Sequence, residues 1–267
     1  MFKKITLFLL PVIMMTGTTH LLFAGENPFI RKFPIREGVV TYTTRGNQQG
    51  SQILYFSEYG RKQLLVEKQQ NDNDIVQSAS DKERVTLLLP DVKYLIYPEK
   101  KSAQKSLPLQ KRLYDIFRKL TKQEQDKVLA SLQKIAPRSY ENISGSCFKE
   151  AKTIAGYRCN EELIGGIRSC TVANGGLTLE KRISLLGYSV DTFATEVKEK
   201  KVDPKIFTLP ENLHIISDTQ KSDPAPSKII ANLLSDPKGC RKRTGSGSGE
   251  NLHLILYEEI KNLSGNL

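Results

Sequence analysis

The chain has 267 residues, 39% hydrophobic and 26% charged, with 18 Gly and 12 Pro, a composition that excludes collagen and wholesale disorder and allows a packed core. Its formal net charge of +11 comes from 40 Lys and Arg against 29 Asp and Glu. The cations are scattered among acids, as in Lys198-Glu199-Lys200-Lys201, and no groove-reading motif occurs, so nucleic acid is not an expected partner.

Residues 1–24 have the form of a secretory signal: Lys3 and Lys4, an apolar run, and the exit Leu22-Phe23-Ala24. Cleavage near Ala24 would remove Lys3, Lys4 and His20, leaving a charge of about +9 and only His214 and His253. Gly25-Glu26 follow the exit, where a lipid anchor would need a Cys. No later stretch approaches the roughly 20 apolar residues of a membrane-crossing helix. The expected location is periplasmic or secreted, with a mature chain that does not span a membrane.

An oxidising compartment makes disulfide partners of Cys147, Cys159, Cys170 and Cys240, with three full pairings open. Cys159 with Cys170 is the favoured pair. They flank Gly165-Gly166, and a hairpin turning there sets them on neighbouring strands, on one face, a diagonal step apart. No C-x-x-C pair occurs, so no metal is expected.

Residues 38–97 show short apolar runs between turn residues, the pattern of an antiparallel meander, with strands expected over 39–44, 52–57, 63–68, 75–78, 85–89 and 94–97. The Asn71-Asp72-Asn73-Asp74 loop lacks the Gly and terminal Glu of a calcium loop and is read as a solvated turn. The period then changes. Leu109, Leu113, Ile116, Phe117 and Leu120 fall at helical spacing, as do Val128, Leu129, Leu132 and Ile135, so two helices interrupt the sheet and are expected to pack against it. Thr121 with Glu124 forms a capping box for the second, and Pro137 marks its end.

Strand patterning resumes over 148–154, 157–164, 167–173, 177–186 and 189–198. Asn174-Gly175-Gly176 and Gly187 are read as hairpin turns needing positive φ. A final segment at 207–216 contains Pro210 and suits an edge. Three parts follow: signal 1–24, a sheet-rich domain at 25–216, and a flexible basic tail at 217–267. Within the tail, apolar residues around Ile229-Ile230 and Leu252 could line short amphipathic helices that fold back or meet a protein partner.

A catalytic set is not visible: the histidines are isolated, and no H-E-x-x-H, G-x-S-x-G or phosphate-binding loop occurs. Glu161 and Glu162, adjacent on a strand, point to opposite faces and cannot pair as acid and base. A thiol at Cys147 is the remaining catalytic candidate, and no enzyme activity and no cofactor are expected.

Gly38-Val39-Val40-Thr41-Tyr42, Leu54-Tyr55-Phe56, Tyr59-Gly60-Arg61, Ala155-Gly156-Tyr157-Arg158-Cys159, Gly176-Leu177 and Val202-Asp203-Pro204, in that order around a helical interruption, resemble the periplasmic lipoprotein-carrier (LolA/LolB-like) half-barrel superfamily. They also resemble a related bacterial exported family of unknown function. The resemblance implies a mainly β, α+β fold: a curved antiparallel sheet or half-barrel covered by two helices. Its concave face would hold a lipid, lipoprotein or other hydrophobic ligand, with Tyr42, Leu54, Leu65, Leu113, Ile116 and Phe117 as the candidate lining. The alternative function is a protein-interaction module acting through the tail, and the third is a thiol-dependent enzyme.

Overall fold

The computed structural model describes residues 27–70, 83–134, 146–164, 166–173, 175–185, 187–217, 225–235 and 241–242. The signal segment, the Asn71–Asp74 loop, the strand expected at 75–78, Ile135, Pro137, Cys240 and the tail after 242 lie outside these residues.

The first half is a meander of β1 (Gly38–Gly46), β2 (Gln49–Ser57), β3 (Lys62–Gln70), β4 (Glu83–Leu88), β5 (Lys93–Tyr97) and β6 (Ser102–Ser106). Helices α1 (Leu109–Phe117) and α2 (Lys122–Lys134) follow. The second meander is β7 (Ser146–Ile154), β8 (Tyr157–Ile164), β9 (Ile167–Val172), β10 (Thr178–Leu185) and β11 (Tyr188–Glu199). Last come β12 (His214–Ser217), α3 (Ala225–Leu234) and β13 (Arg241–Lys242). Short 3-10 turns at Glu58–Gly60 and Pro204–Phe207 complete the described elements.

The strands form one sheet in the order β12-β6-β5-β4-β3-β2-β1-β11-β10-β9-β8-β7-β13. The two meanders join through β1 and β11, which pair antiparallel from Gly38 opposite Glu199 to Gly46 opposite Val190. Only the edge strands run parallel to their neighbours, β12 on β6 and β13 on β7. Strand β6, Ser-Ala-Gln-Lys-Ser, is absent from the sequence reading because a single apolar residue, Ala103, marks it; that residue is fully buried.

The half-barrel expectation is overturned. The sheet is open, with β12 and β13 at opposite ends, and it neither closes nor curls. Strand alternation supplies the reason, because apolar residues fill both faces of β1–β5 and each face acquires its own cover. One face carries Val39, Leu87, Ile96 and Ala103 under Val202 and Phe207, with Ile206, Leu209 and Leu213 beside them. The other carries Val40, Tyr42, Leu54 and Phe56 under Phe33. The carrier-family resemblance, and the lipid-binding role inferred from it, fall with the shape that carried them.

The apolar stripes of the helices do not pack on the sheet either. Leu113 and Phe117 of α1 and Val128 and Leu132 of α2 pack with Ile229, Ile230 and Leu233 of α3 and with Phe29. Ser131 donates its hydroxyl to the Leu233 carbonyl at 2.6 Å within this cluster. The amphipathic segment at 225–234 thus folds back, because three short stripes close on one another better than any does alone. The capping box forms: the Thr121 N–H donates to the Glu124 carboxylate at 2.8 Å, and the Glu124 N–H donates to the Thr121 hydroxyl at 3.3 Å.

Cys159 and Cys170 are disulfide-bonded, with Cα atoms 5.5 Å apart. Cys159 stands opposite Val172 and Cys170 opposite Glu161, the diagonal step that a two-residue turn between Ile164 and Ile167 dictates.

Candidate functional site

A cavity of about 620 Å³ opens on the face of the sheet that carries Tyr42. Its floor follows from register, because residues directly opposite one another on paired strands share a face. Val40, Leu54, Leu65 and Thr86 form one row across β1 to β4, and the next row is Tyr42, Gln52, Glu67 and Arg84. A third row runs Lys181, Thr192, Thr44 and Gly50 across β10, β11, β1 and β2. Leu54, Leu65 and Thr86 from the first row and every residue of the other two line the space. The floor therefore grades from aliphatic to polar within three rows.

The roof is the segment 29–33 with the start of α1. The N–H of Phe33 donates to the Tyr59 carbonyl at 2.8 Å, and the Tyr59 N–H donates to the Arg36 carbonyl at 2.7 Å, which pins this strap to the turn after β2. Phe33 lies directly over Gly60, where a β-carbon would sit 2.7 Å from the ring. On the other side the Gly176 N–H donates to the Lys32 carbonyl, and a β-carbon at Gly176 would meet the Arg31 carbonyl at 2.6 Å. Gly175 and Gly176 are thus required for close approach of the strap, and neither takes the positive φ read from the sequence, whereas Gly187 does, at 83°. Asn27 reaches the Gln110 carbonyl from its side-chain amide at 3.0 Å, and Arg31 donates to the Leu132 carbonyl, so the strap is tied to both helices.

The polar side chains of the second row are tied together. Arg84 donates from Nε to Glu67 at 2.8 Å, and Gln52 donates to the other oxygen of Glu67 at 3.2 Å. The hydrogen bond that Arg84 donates to Glu67 raises the Arg84 pKa above its ordinary value, against the opposing effect of burial. Tyr42 donates its hydroxyl to the Thr178 carbonyl at 2.8 Å, fixing the ring on the floor. Thr44 and Thr192 share a hydrogen bond between their hydroxyls at 3.1 Å.

Of the residues expected to line a ligand site, Tyr42, Leu54 and Leu65 come together on this floor. Leu113, Ile116 and Phe117 belong to the helical cluster; the helix contributes Pro108, Leu109 and Gln110 at its start instead. Sequence reasoning passed over Gln52, Glu67, Arg84, Thr44, Thr192 and Lys181. The signal was present, since Gln52 and Glu67 stand two residues from Leu54 and Leu65 and so share their face.

No protein-family model matches the chain, and no curated protein matches it. Among solved structures it is similar to an uncharacterized conserved protein from Thermus thermophilus, at 8% identity and a TM-score of 0.40, covering 68% of this chain and 91% of that one. It is also similar to PNGF-II, at 10% identity and a TM-score of 0.34, covering 74% of this chain and 33% of that one. The chain thus spans about a third of the length of the latter. The site has to be read from its own residues.

Among the described residues no helix is long and apolar enough to cross a membrane, and no three His, Cys, Asp or Glu side chains gather as a metal site. Glu161 and Glu162 are both buried in β8. Arg168 stands 3.3 Å from the Glu161 carboxylate.

Proposed function

We propose that this chain is an exported, non-catalytic binding protein that holds a hydrophobic ligand with polar groups in the cavity under the 29–33 strap. The observation that carries this reading is the floor itself: Tyr42, Leu54 and Leu65 face open volume, although Tyr42 and Leu54 are each only 7% exposed. Clefts that hold small ligands span about 300–1,000 Å³ and combine apolar lining with a few placed polar groups, and the cavity over this floor has both features. Burying about five methylenes there supplies about 4 kcal/mol, a factor of about 1,000 in affinity. The polar row beside it, in which Glu67 and Arg84 already pair with each other, orients the occupant.

Two features support export: the signal-like pattern of residues 1–24 and the Cys159–Cys170 disulfide, a bond that persists in oxidising compartments. Cell fractionation with N-terminal sequencing tests this part, with a start at Gly25 expected and a cytosolic, uncleaved chain as the contrary result.

The binding test is a fluorescence titration of the purified full chain with phenylnaphthylamine, a neutral dye that brightens in apolar surroundings. Saturable uptake at one dye per chain is expected, weakened at least about tenfold by Leu65→Asp, which sets a charge on the floor. Absence of saturable uptake by the folded protein, or an unaltered titration for Leu65→Asp, removes the reading.

A further inference from the structure

The third row of the cavity floor carries a cation that its neighbours do not neutralise. Along β10, Glu180 and Arg182 alternate with Lys181 and therefore point to the other face. There they are compensated: Glu180 pairs with Lys152, and the Arg182 Nε lies 2.8 Å from the Asp191 carboxylate. Lys181 faces the cavity opposite Thr192 and has no ion-pair partner among the described residues. The next position in the row is Thr44, hydroxyl to hydroxyl with Thr192 at 3.1 Å. Two hydroxyls that share one hydrogen bond use one of their two protons, so the second remains to be donated. The fourth position is Gly50, which sets no side chain beside Thr44.

We propose that Lys181, Thr192 and Thr44 form an anion subsite, and that the ligand of the cavity is an amphipathic anion. Its apolar body lies on Tyr42, Leu54 and Leu65, and its oxyanion accepts from the Lys181 ammonium and the free hydroxyl proton of the threonine pair. This rests on the binding reading above and adds the ligand's charge and orientation. Adjacent strands stand about 4.8 Å apart, so an oxyanion between Lys181 and the threonines reaches both. Charge along the cavity agrees: its lining includes Arg31, Arg61, Lys68, Arg84, Lys93 and Lys181 against two acids, Glu67, paired with Arg84, and Glu180, whose side chain points to the other face and pairs with Lys152. A cationic ligand would meet repulsion throughout.

The test compares two dyes with nearly the same aromatic body, anilinonaphthalene sulfonate, an anion, and neutral phenylnaphthylamine, titrated into the full chain at low salt. The sulfonate is expected to bind at least about tenfold more tightly, a charge-assisted contact being the difference. Lys181→Met should abolish that preference, read as the ratio of the two affinities, and Lys181→Arg should retain most of it. The double variant Thr44→Val and Thr192→Val keeps side-chain shape and should lower sulfonate affinity severalfold, with its melting temperature reporting the fold. Equal affinity for the two dyes, or a preference that survives Lys181→Met, overturns the anion subsite alone. Failure of the neutral dye to bind overturns the cavity reading first.

Discussion

The two faces of the β1–β5 half of the sheet are built from the same alternating strands and end differently. On one face Val39, Leu87 and Ile96 are sealed by Val202 and Phe207, with Ile206, Leu209 and Leu213 alongside. On the other, Phe33 covers Val40 and Phe56, its ring 4.9 Å from that of Phe56, but beyond it the cover gives way to a cavity of about 620 Å³. The covers explain the difference. The 202–213 segment turns Val202, Ile206, Phe207, Leu209 and Leu213 onto its face, whereas the 29–33 strap, held by backbone hydrogen bonds to Tyr59 and Gly176, sends Phe33 onto the sheet and Phe29 into the helical cluster. A cover fixed through its backbone can span a floor without filling the space beneath it. If the proposed function holds, the filled face serves stability and the open one binding, and substitutions on the two should separate those properties.

The largest effect is expected at the filled face. Phe207→Ala removes a ring that is only 6% exposed and should cost about 3–4 kcal/mol, read from urea unfolding, with dye affinity nearly unaltered at concentrations where the protein stays folded. A loss below about 1 kcal/mol would break the contrast between the faces. Next comes the disulfide. Replacing Cys159 and Cys170 by Ala should cost about 2–3 kcal/mol, because the bond restrains the unfolded chain, while leaving the dye titration intact. Weaker dye binding in that variant would show that the bond between β8 and β9 braces β10, the neighbouring strand that lines the cavity.

A smaller stability effect is expected on the open face. Leu65→Ala trims a half-buried side chain that borders open volume, so no new sealed cavity forms and unfolding should shift by about 1 kcal/mol, while neutral-dye affinity drops severalfold. Equal stability losses for Leu65→Ala and Phe207→Ala would mean that both faces are core.

The smallest effect lies in the helical cluster. The Glu124 pKa is depressed by hydrogen bonds from the Thr121 hydroxyl and backbone N–H, so its contribution to stability is present above its unfolded value of about 4.5 and is lost as pH falls through the lower folded value. Glu124→Gln should therefore unfold slightly earlier than the parent at neutral pH, with the gap closing in acid. Thr121→Ala should cost about 1 kcal/mol at neutral pH.

Much of the local structure was legible in the residues. The hairpin around Gly165-Gly166 predicted both the register of β8 with β9 and the Cys159–Cys170 pairing, because turn length sets register and register sets which side chains meet. The helical spacing of Leu109, Leu113, Ile116 and Phe117 predicted α1, and the Thr121–Glu124 spacing predicted the cap. Strand β6 escaped because it carries one apolar residue, and α3 was legible as amphipathic but not as the partner of α1 and α2. Half of the cavity floor, Tyr42, Leu54 and Leu65, was named for its apolar character. The polar half was missed because its residues look like ordinary solvated strand positions until the strap lies over them.

Periodicity, turn chemistry and cysteine spacing are local properties, and the sequence by itself determined what depends on them: where most strands and the first two helices fall, how consecutive hairpins pair, and which face each strand residue takes. Long-range packing decided the rest. Whether the sheet would curl or stay open depended on both faces finding separate covers, and whether the helices would cap the sheet depended on a third stripe far along the chain, at Ala225–Leu234. The cavity exists because backbone bonds from distant segments hold the strap above the floor, a height that no single stretch of residues encodes.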